Sequence, residues 1–133
     1  MLLAVLATST AYGVAHAVRS GRVRDRAAGS DLRAVLEALG QAPGERATLL
    51  QFSSAFCAPC RATRRTLGEV ADMVEGVRHV EVDAEQHLDV VRALGISSTP
   101  TTLVLDARVR ETARATGQPR KPEVLAAIGN AVP

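Results

Sequence analysis

Apolar residues recur along the chain at two different periods. Leu32, Val35, Leu36 and Leu39 fall at i, i+3, i+4 and i+7, the spacing of one helix face. Ser30 or Asp31 can cap that helix and Gly40 can end it. Pro43 and Gly44 mark a turn within residues 41–46, and Thr48-Leu49-Leu50-Gln51-Phe52 is a short apolar run suited to a buried central strand. Thr63, Leu67, Val70 and Val74 predict a second helix, with Arg64, Arg65, Glu69 and Asp72 on its outer side. Residues 77–83 set Val77, His79 and Glu81 against Arg78, Val80 and Val82, the alternation of a strand. Leu88, Val91 and Leu94 predict a third helix ended by Gly95. A strand follows over Thr101–Leu105, then a tight turn at Asp106-Ala107-Arg108 and a half-exposed edge strand from Val109 to Thr116. Pro122 opens a last helix carrying Val124, Leu125 and Ile128.

The predicted order is therefore α, β, α, β, α, β, β, α. A strand–helix–strand unit requires a parallel pair, and the closing hairpin is antiparallel. These demands meet in an α/β fold, a four-stranded mixed sheet with helices on both faces.

Residues 1–18 lie outside that pattern. They contain no Asp, Glu, Lys or Arg. As a helix they would extend about 27 Å at ~1.5 Å per residue, near the ~30 Å hydrocarbon thickness of a bilayer. Arg19, Arg22, Arg24 and Arg26 follow at once, within a basic linker over residues 19–29. Basic residues on that flank hold it in the cytoplasm, so the expectation is a single-pass anchor in membrane lipid with the domain of residues 30–133 facing the cytoplasm. The rival is a secretory signal. Ala15-His16-Ala17 suits cleavage, but no basic residue precedes the apolar run and the arginines lie on the wrong side.

Charge removes one class of function. Of 16 Lys and Arg against 14 Asp and Glu, the linker holds four arginines and Asp25. The rest of the chain carries 12 basic and 13 acidic residues, a net of −1. A nearly neutral domain has no electrostatic footprint for nucleic acid. With no Trp, one Tyr and two Phe in 133 residues, its core is built from Leu, Val, Ile and Ala.

Cys57 and Cys60 are the only cysteines. They follow a predicted buried strand and open a helix. The first N–H groups of a helix lack intrahelical partners, and its dipole puts positive charge there. A thiolate at Cys57 is stabilised by both, below the free value of about 8.5. It can attack a disulfide, and Cys60, one turn later, can attack the mixed disulfide that results. Pro59 stiffens the connection, and Ala58 is small enough for a substrate chain to lie close. Zinc would need two more ligands, and His79 and His87 are spaced unlike a zinc finger. No metal and no cofactor beyond the Cys57–Cys60 disulfide is expected. A purely structural role is poor, since so small a loop constrains little.

Three segments in order resemble the thioredoxin superfamily: Leu49 to Arg61 with its Cys-Ala-Pro-Cys, Val80-Glu81-Val82-Asp83, and Gly95-Ile96-Ser97-Ser98-Thr99-Pro100-Thr101. The resemblance extends over Ser30 to Val132 and includes membrane-tethered thioredoxin-like proteins of actinobacteria. It implies a thioredoxin-like fold and a cis Pro100 beside the cysteines. Thr99 would then pair with a substrate strand, with Phe56, Ala58 and Gly117 in the same groove. The chain departs from the family at Phe56 for Trp, Ala58 for Gly, and Gln51 for a buried Asp that moves protons at the second Cys. The family's nearby Lys corresponds to His79. An amide does not exchange protons near neutrality, whereas His titrates there, so His79 is the candidate replacement.

Three functions remain open. The first is a reductase of protein disulfides at the cytoplasmic membrane face, taking electrons from a reductase partner. The second is an exported thiol oxidase or isomerase with the same site. The third is a non-catalytic module that holds a partner at the Thr99-Pro100 groove.

Overall fold

The computed structural model describes residues 31–133. The expected membrane helix over 1–18, the linker over 19–29 and Ser30 lie outside the described residues. Among the described residues, no helix is long and apolar enough to cross a membrane.

Strand β1 (Ala47–Ser53) is buried along its whole length. It is central because hydrogen-bonded neighbours flank it on both sides. Strand β2 (Val77–Asp83) runs parallel to it, with Leu50 opposite Val80 and Ser53 opposite Asp83. Strand β3 (Thr101–Asp106) runs antiparallel on the other side, with Phe52 opposite Thr101 and Ala47 opposite Asp106. Strand β4 (Glu111–Thr116) closes the sheet against β3, giving the order β2-β1-β3-β4.

Helices cover both faces, as the periodicity predicts. Helix α1, over residues 31–38, sets Leu32 and Leu36 against Leu50, Phe52, Val82, Leu103 and Leu105. Helix α3 (Leu88–Ala93) joins that face through half-buried Val90 and Val91 and through Leu94 just beyond its end, while Leu88 is exposed. Both helices stop alike. Gly40 and Gly95 take φ +65°, and the following amides reach back, Gln41 to the Leu36 carbonyl and Ile96 to that of Val91, each at 2.9 Å. That is the Schellman closure, which a glycine enters without a Cβ clash.

Helices α2 (Ala58–Met73) and α4 (Lys121–Ala131) cover the other face. Leu67 and Val70 of α2 and Val124 and Ile128 of α4 meet Ala47, Leu49, Val77 and Val104. A side chain such as Leu67, wholly removed from water, contributes about 1.5–3 kcal/mol.

The hairpin departs from expectation. Strand β4 begins at Glu111, and Val109 belongs to the turn. The Val109 amide bonds the Asp106 carbonyl at 2.9 Å, and Val109 takes φ +62°. Such a three-residue loop normally places Gly at its left-handed position. Val109 tolerates it because its side chain is fully buried in the α1/α3 core. The Asp106 carboxylate adds three bonds of 2.9–3.0 Å from the Arg108 and Arg110 amides and the Arg110 guanidinium.

Candidate active site

The sheet register assembles the site. Because β1 and β3 are antiparallel with Phe52 opposite Thr101, the segment leaving β1 and the segment entering β3 lie at one end of the sheet. The first carries Cys57 and the second carries Pro100.

Cys57 caps α2 with an extended backbone, φ −99° and ψ 101°. Its sulfur accepts the Cys60 N–H at 3.2 Å. Cys57 and Cys60 form a disulfide, their Cα atoms 5.2 Å apart. Their exposure differs: Cys57 is half-buried, whereas Cys60 retains 1 % of its surface. Pro59 falls in the first turn of α2, where a missing N–H costs no helical bond. Ala58 opens the helix beside it and is exposed.

Phe56, immediately before the pair, is 101 % exposed and sits at φ +58°. A left-handed backbone costs a residue with a Cβ about 1–2 kcal/mol, and an exposed ring returns nothing by packing within the chain.

Across from it the Thr99–Pro100 peptide is cis. Thr99 is tied to the active-site segment by its hydroxyl, 2.8 Å from that of Ser54. Thr101 donates to the Ser98 carbonyl at 2.7 Å, and the Gly117 amide donates to the Pro100 carbonyl at 2.9 Å. Phe56, Thr99, Pro100 and Gly117, distant in sequence, thus gather at the end of the sheet that carries the cysteines.

Behind the disulfide lies a buried polar layer. Gln51 is 0 % exposed, yet its amide is fully employed. Its Nε2 donates to the Cys60 carbonyl and to Ser53 Oγ, each at 2.9 Å. Its Oε1 lies 2.9 Å from His79 Nε2. His79 therefore connects to the second cysteine through Gln51. Burial pushes His79 below the usual imidazole value; nearby Glu81 opposes that shift and Arg64 adds to it. Arg64 and Glu81 are themselves joined by two bonds of 2.6 and 2.7 Å.

Ser53, Ser54, Arg64 and Glu81 gave no separate signal in sequence. Gln51 did carry one, as the residue standing where the resembling family buries an Asp. Among the described residues, no group of three or more His, Cys, Asp and Glu side chains is placed to hold a metal. A groove of about 500 Å³ between α1 and α3, lined by Ala34, Val35, Val90 and Leu94, includes neither cysteine.

The thioredoxin family model matches residues 37–130. The chain belongs to the thioredoxin family. It is 30 % identical over 82 residues to the thioredoxin of Mycoplasma genitalium, covering 62 % of this chain and 79 % of that one. Among solved structures, the reduced thioredoxin pre-protein of Schistosoma mansoni superposes with a TM-score of 0.60 at 19 % identity, covering 77 % of this chain and 90 % of that one. Thioredoxin f of spinach chloroplast gives 0.58 at 24 % identity, covering 66 % and 78 %. These likenesses show the thioredoxin fold. Family membership together with the Cys57–Cys60 disulfide makes the chain a thiol–disulfide oxidoreductase whose redox group is its own. Thioredoxins in general act on protein disulfides and draw electrons from a reductase. Cys57 lies at the helix N-terminus and is the more open of the two sulfurs, while Cys60 is closed off.

Proposed function

We propose that this thioredoxin works in the reducing direction, on disulfides of protein substrates, from the cytoplasmic face of a membrane to which residues 1–18 tether it. One observation carries the catalytic part: an exposed, left-handed Phe56 stands beside a half-open Cys57 while Cys60 is closed off. In the dithiol form the Cys57 thiolate attacks one sulfur of the substrate disulfide and expels the other as a thiolate. The Cys60 thiolate then attacks Cys57 Sγ, forming the Cys57–Cys60 disulfide and releasing the second substrate thiolate. Two electrons pass to the substrate, and a partner dithiol of a reductase restores the pair. Phe56, Ala58, Thr99, Pro100 and Gly117 line the surface on which the substrate strand lies, the Thr99 backbone pairing with it.

The tether rests on the charge-free stretch of residues 1–18 and the arginines after it. In membrane vesicles of known orientation, a C-terminal tag should be protease-sensitive only where the cytoplasmic face is outward. Sensitivity from the opposite face would overturn the topology.

Direction is tested by equilibrating the full chain with thiol/disulfide buffers. A potential near that of thioredoxin, about −270 mV, supports the reductase. A value near about −120 mV would make it an oxidant and overturn this reading.

A further inference from the structure

Thr102 is 2 % exposed, and its hydroxyl has no hydrogen-bond partner among the described residues. A buried hydroxyl left without a partner is costly, and few persist in a fold without a reason. The surroundings of Thr102 supply one. In register it stands opposite Ala115, as Val104 stands opposite Ala113, so these four side chains share one face of the sheet. Helix α4 covers that face, where Val104 belongs to the same core as Val124 and Ile128.

Sheet and helix do not close on each other completely there. A cavity of about 220 Å³ remains, with Thr102, Val104, Ala113 and Ala115 as its floor and Pro119, Val124 and Ala127 as its roof. Alanine stands at three of these seven positions, and a single methyl fills little of the space between a strand and a helix. Neither cysteine lines the cavity.

The walls decide what fits. A cavity of ~150 Å³ with hydrocarbon walls takes up benzene. The walls here are of the same kind, apart from Thr102 and Glu123. The Glu123 carboxylate is more than half exposed and already accepts from the Arg120 amide and guanidinium at 2.8–3.2 Å. A charged guest would lose its water and find no free opposite charge, so the guest is neutral. The Thr102 hydroxyl can donate and accept. The complement of this cavity is therefore an apolar body about the size of a benzene ring carrying one hydrogen-bonding group.

We propose that this cavity is a binding site for small neutral molecules of the phenol type, seated on the Thr102 hydroxyl. The site is separate from the dithiol, and binding there needs neither cysteine.

The test uses the full chain in its disulfide form, titrated with phenol and, separately, with toluene. Binding is read from the methyl resonances of Val104 on the floor and Val124 on the roof. Both probes should shift these resonances to saturation. Thr102→Val keeps the shape of the side chain and removes the hydroxyl. It should lower the ratio of phenol affinity to toluene affinity by about three- to tenfold, the net contribution of one hydrogen bond. Uptake of the probes by any other apolar phase is the same for both proteins and cancels in the comparison. Ala127→Leu, at a half-buried helical position, should fill the space and abolish saturable binding of both probes. If neither probe shifts the two valines in the parent chain, the cavity takes water only and the proposal fails. An unchanged ratio in Thr102→Val overturns it as well, because the hydroxyl then selects nothing. Binding that survives Ala127→Leu places the probes elsewhere and also overturns it. Should Ala127→Leu fail to fold, the ratio in the shape-conserving Thr102→Val still decides. None of these readings depends on the reduction potential or the direction of electron flow, so this proposal and the reductase stand or fall separately.

Discussion

Phe56 and Val109 share a backbone conformation and nothing else. Both are non-glycine residues at positive φ, +58° and +62°, and they mark opposite ends of the sheet. Val109 closes the β3–β4 turn, beside the start of β1, where Ala47 faces Asp106. Phe56 follows the end of β1, beside Cys57. At the turn, a fully buried side chain offsets the strain. At the catalytic end, a fully exposed ring offsets nothing within the chain. The turn end is stabilised by the fold itself, whereas the catalytic end carries its strain with no return from packing within the chain.

The sharpest way to break this comparison is to remove the chemistry and see whether the fold notices. Cys57→Ser should lower turnover in a disulfide-reduction assay by roughly a thousandfold or more, since the nucleophile is lost. Stability of the dithiol form should be little changed, because Cys57 lies outside both cores. Residual activity near the parent level would show that another group performs the attack.

Glycine placed at the two strained positions should then act in opposite senses. Val109→Gly relieves the backbone but deletes a fully buried side chain, whose burial contributes about 1.5–3 kcal/mol. Denaturant unfolding should show a net loss of about 1–2 kcal/mol once the relieved strain is subtracted. A gain in stability would mean the core does not need Val109. Phe56→Gly should leave stability unchanged or raise it by up to about 1 kcal/mol. The same change should raise KM for a protein substrate several-fold by removing a large apolar contact, about 1–2 kcal/mol. A clear loss of stability with no change in KM would move Phe56 from the docking surface to the packing of the chain.

Smaller and sharper still is the pH dependence of stability, because each end contributes its own limb. Burial alone would raise Asp106, but bonds from the Arg110 amide and guanidinium and from the Arg108 amide prevail and hold its carboxyl below the ordinary range. A carboxyl lowered in the fold stabilises it above the unfolded value of about 3.9, and that contribution is lost as pH falls through the folded value. Asp106→Asn should flatten this acid limb. His79 is also lowered, chiefly by burial, and for a base the sign works through proton uptake. Below the ordinary value of about 6.5 the unfolded chain binds the proton more readily, so stability should rise with pH up to that point. His79→Gln should remove that upper limb and leave the acid limb intact. Loss of both limbs in either variant would mean that the two ends do not titrate independently.

The departures from a sequence-only reading follow the same division. Val109 alternates with Arg110 and Thr112 like a strand residue, yet it closes a turn, because its side chain reaches a core built mainly from other elements. Leu88 keeps helical spacing but is exposed at the start of α3, a helix with no fully buried residue. Gln51 looks in sequence like the loss of an acid. In the fold it is a fully bonded bridge, and its partners Cys60 and His79 come from α2 and β2, nine and 28 positions away. None of these depends on local periodicity, so periodicity does not report them.

By itself the sequence determined what depends on near neighbours. Hydrophobic period, glycine at helix ends and proline in first turns specified the helices and strands, their order and therefore the mixed sheet. The dithiol was legible for the same reason, since a helix N-terminus acts on the cysteine next to it. The tertiary structure alone decided which atoms of distant residues meet: the hydroxyls of Ser54 and Thr99, the Gly117 amide with the Pro100 carbonyl, and Gln51 with both the Cys60 carbonyl and His79. Those contacts cross from strand to strand and from sheet to helix. Their positions follow from register and packing, which the whole chain settles together.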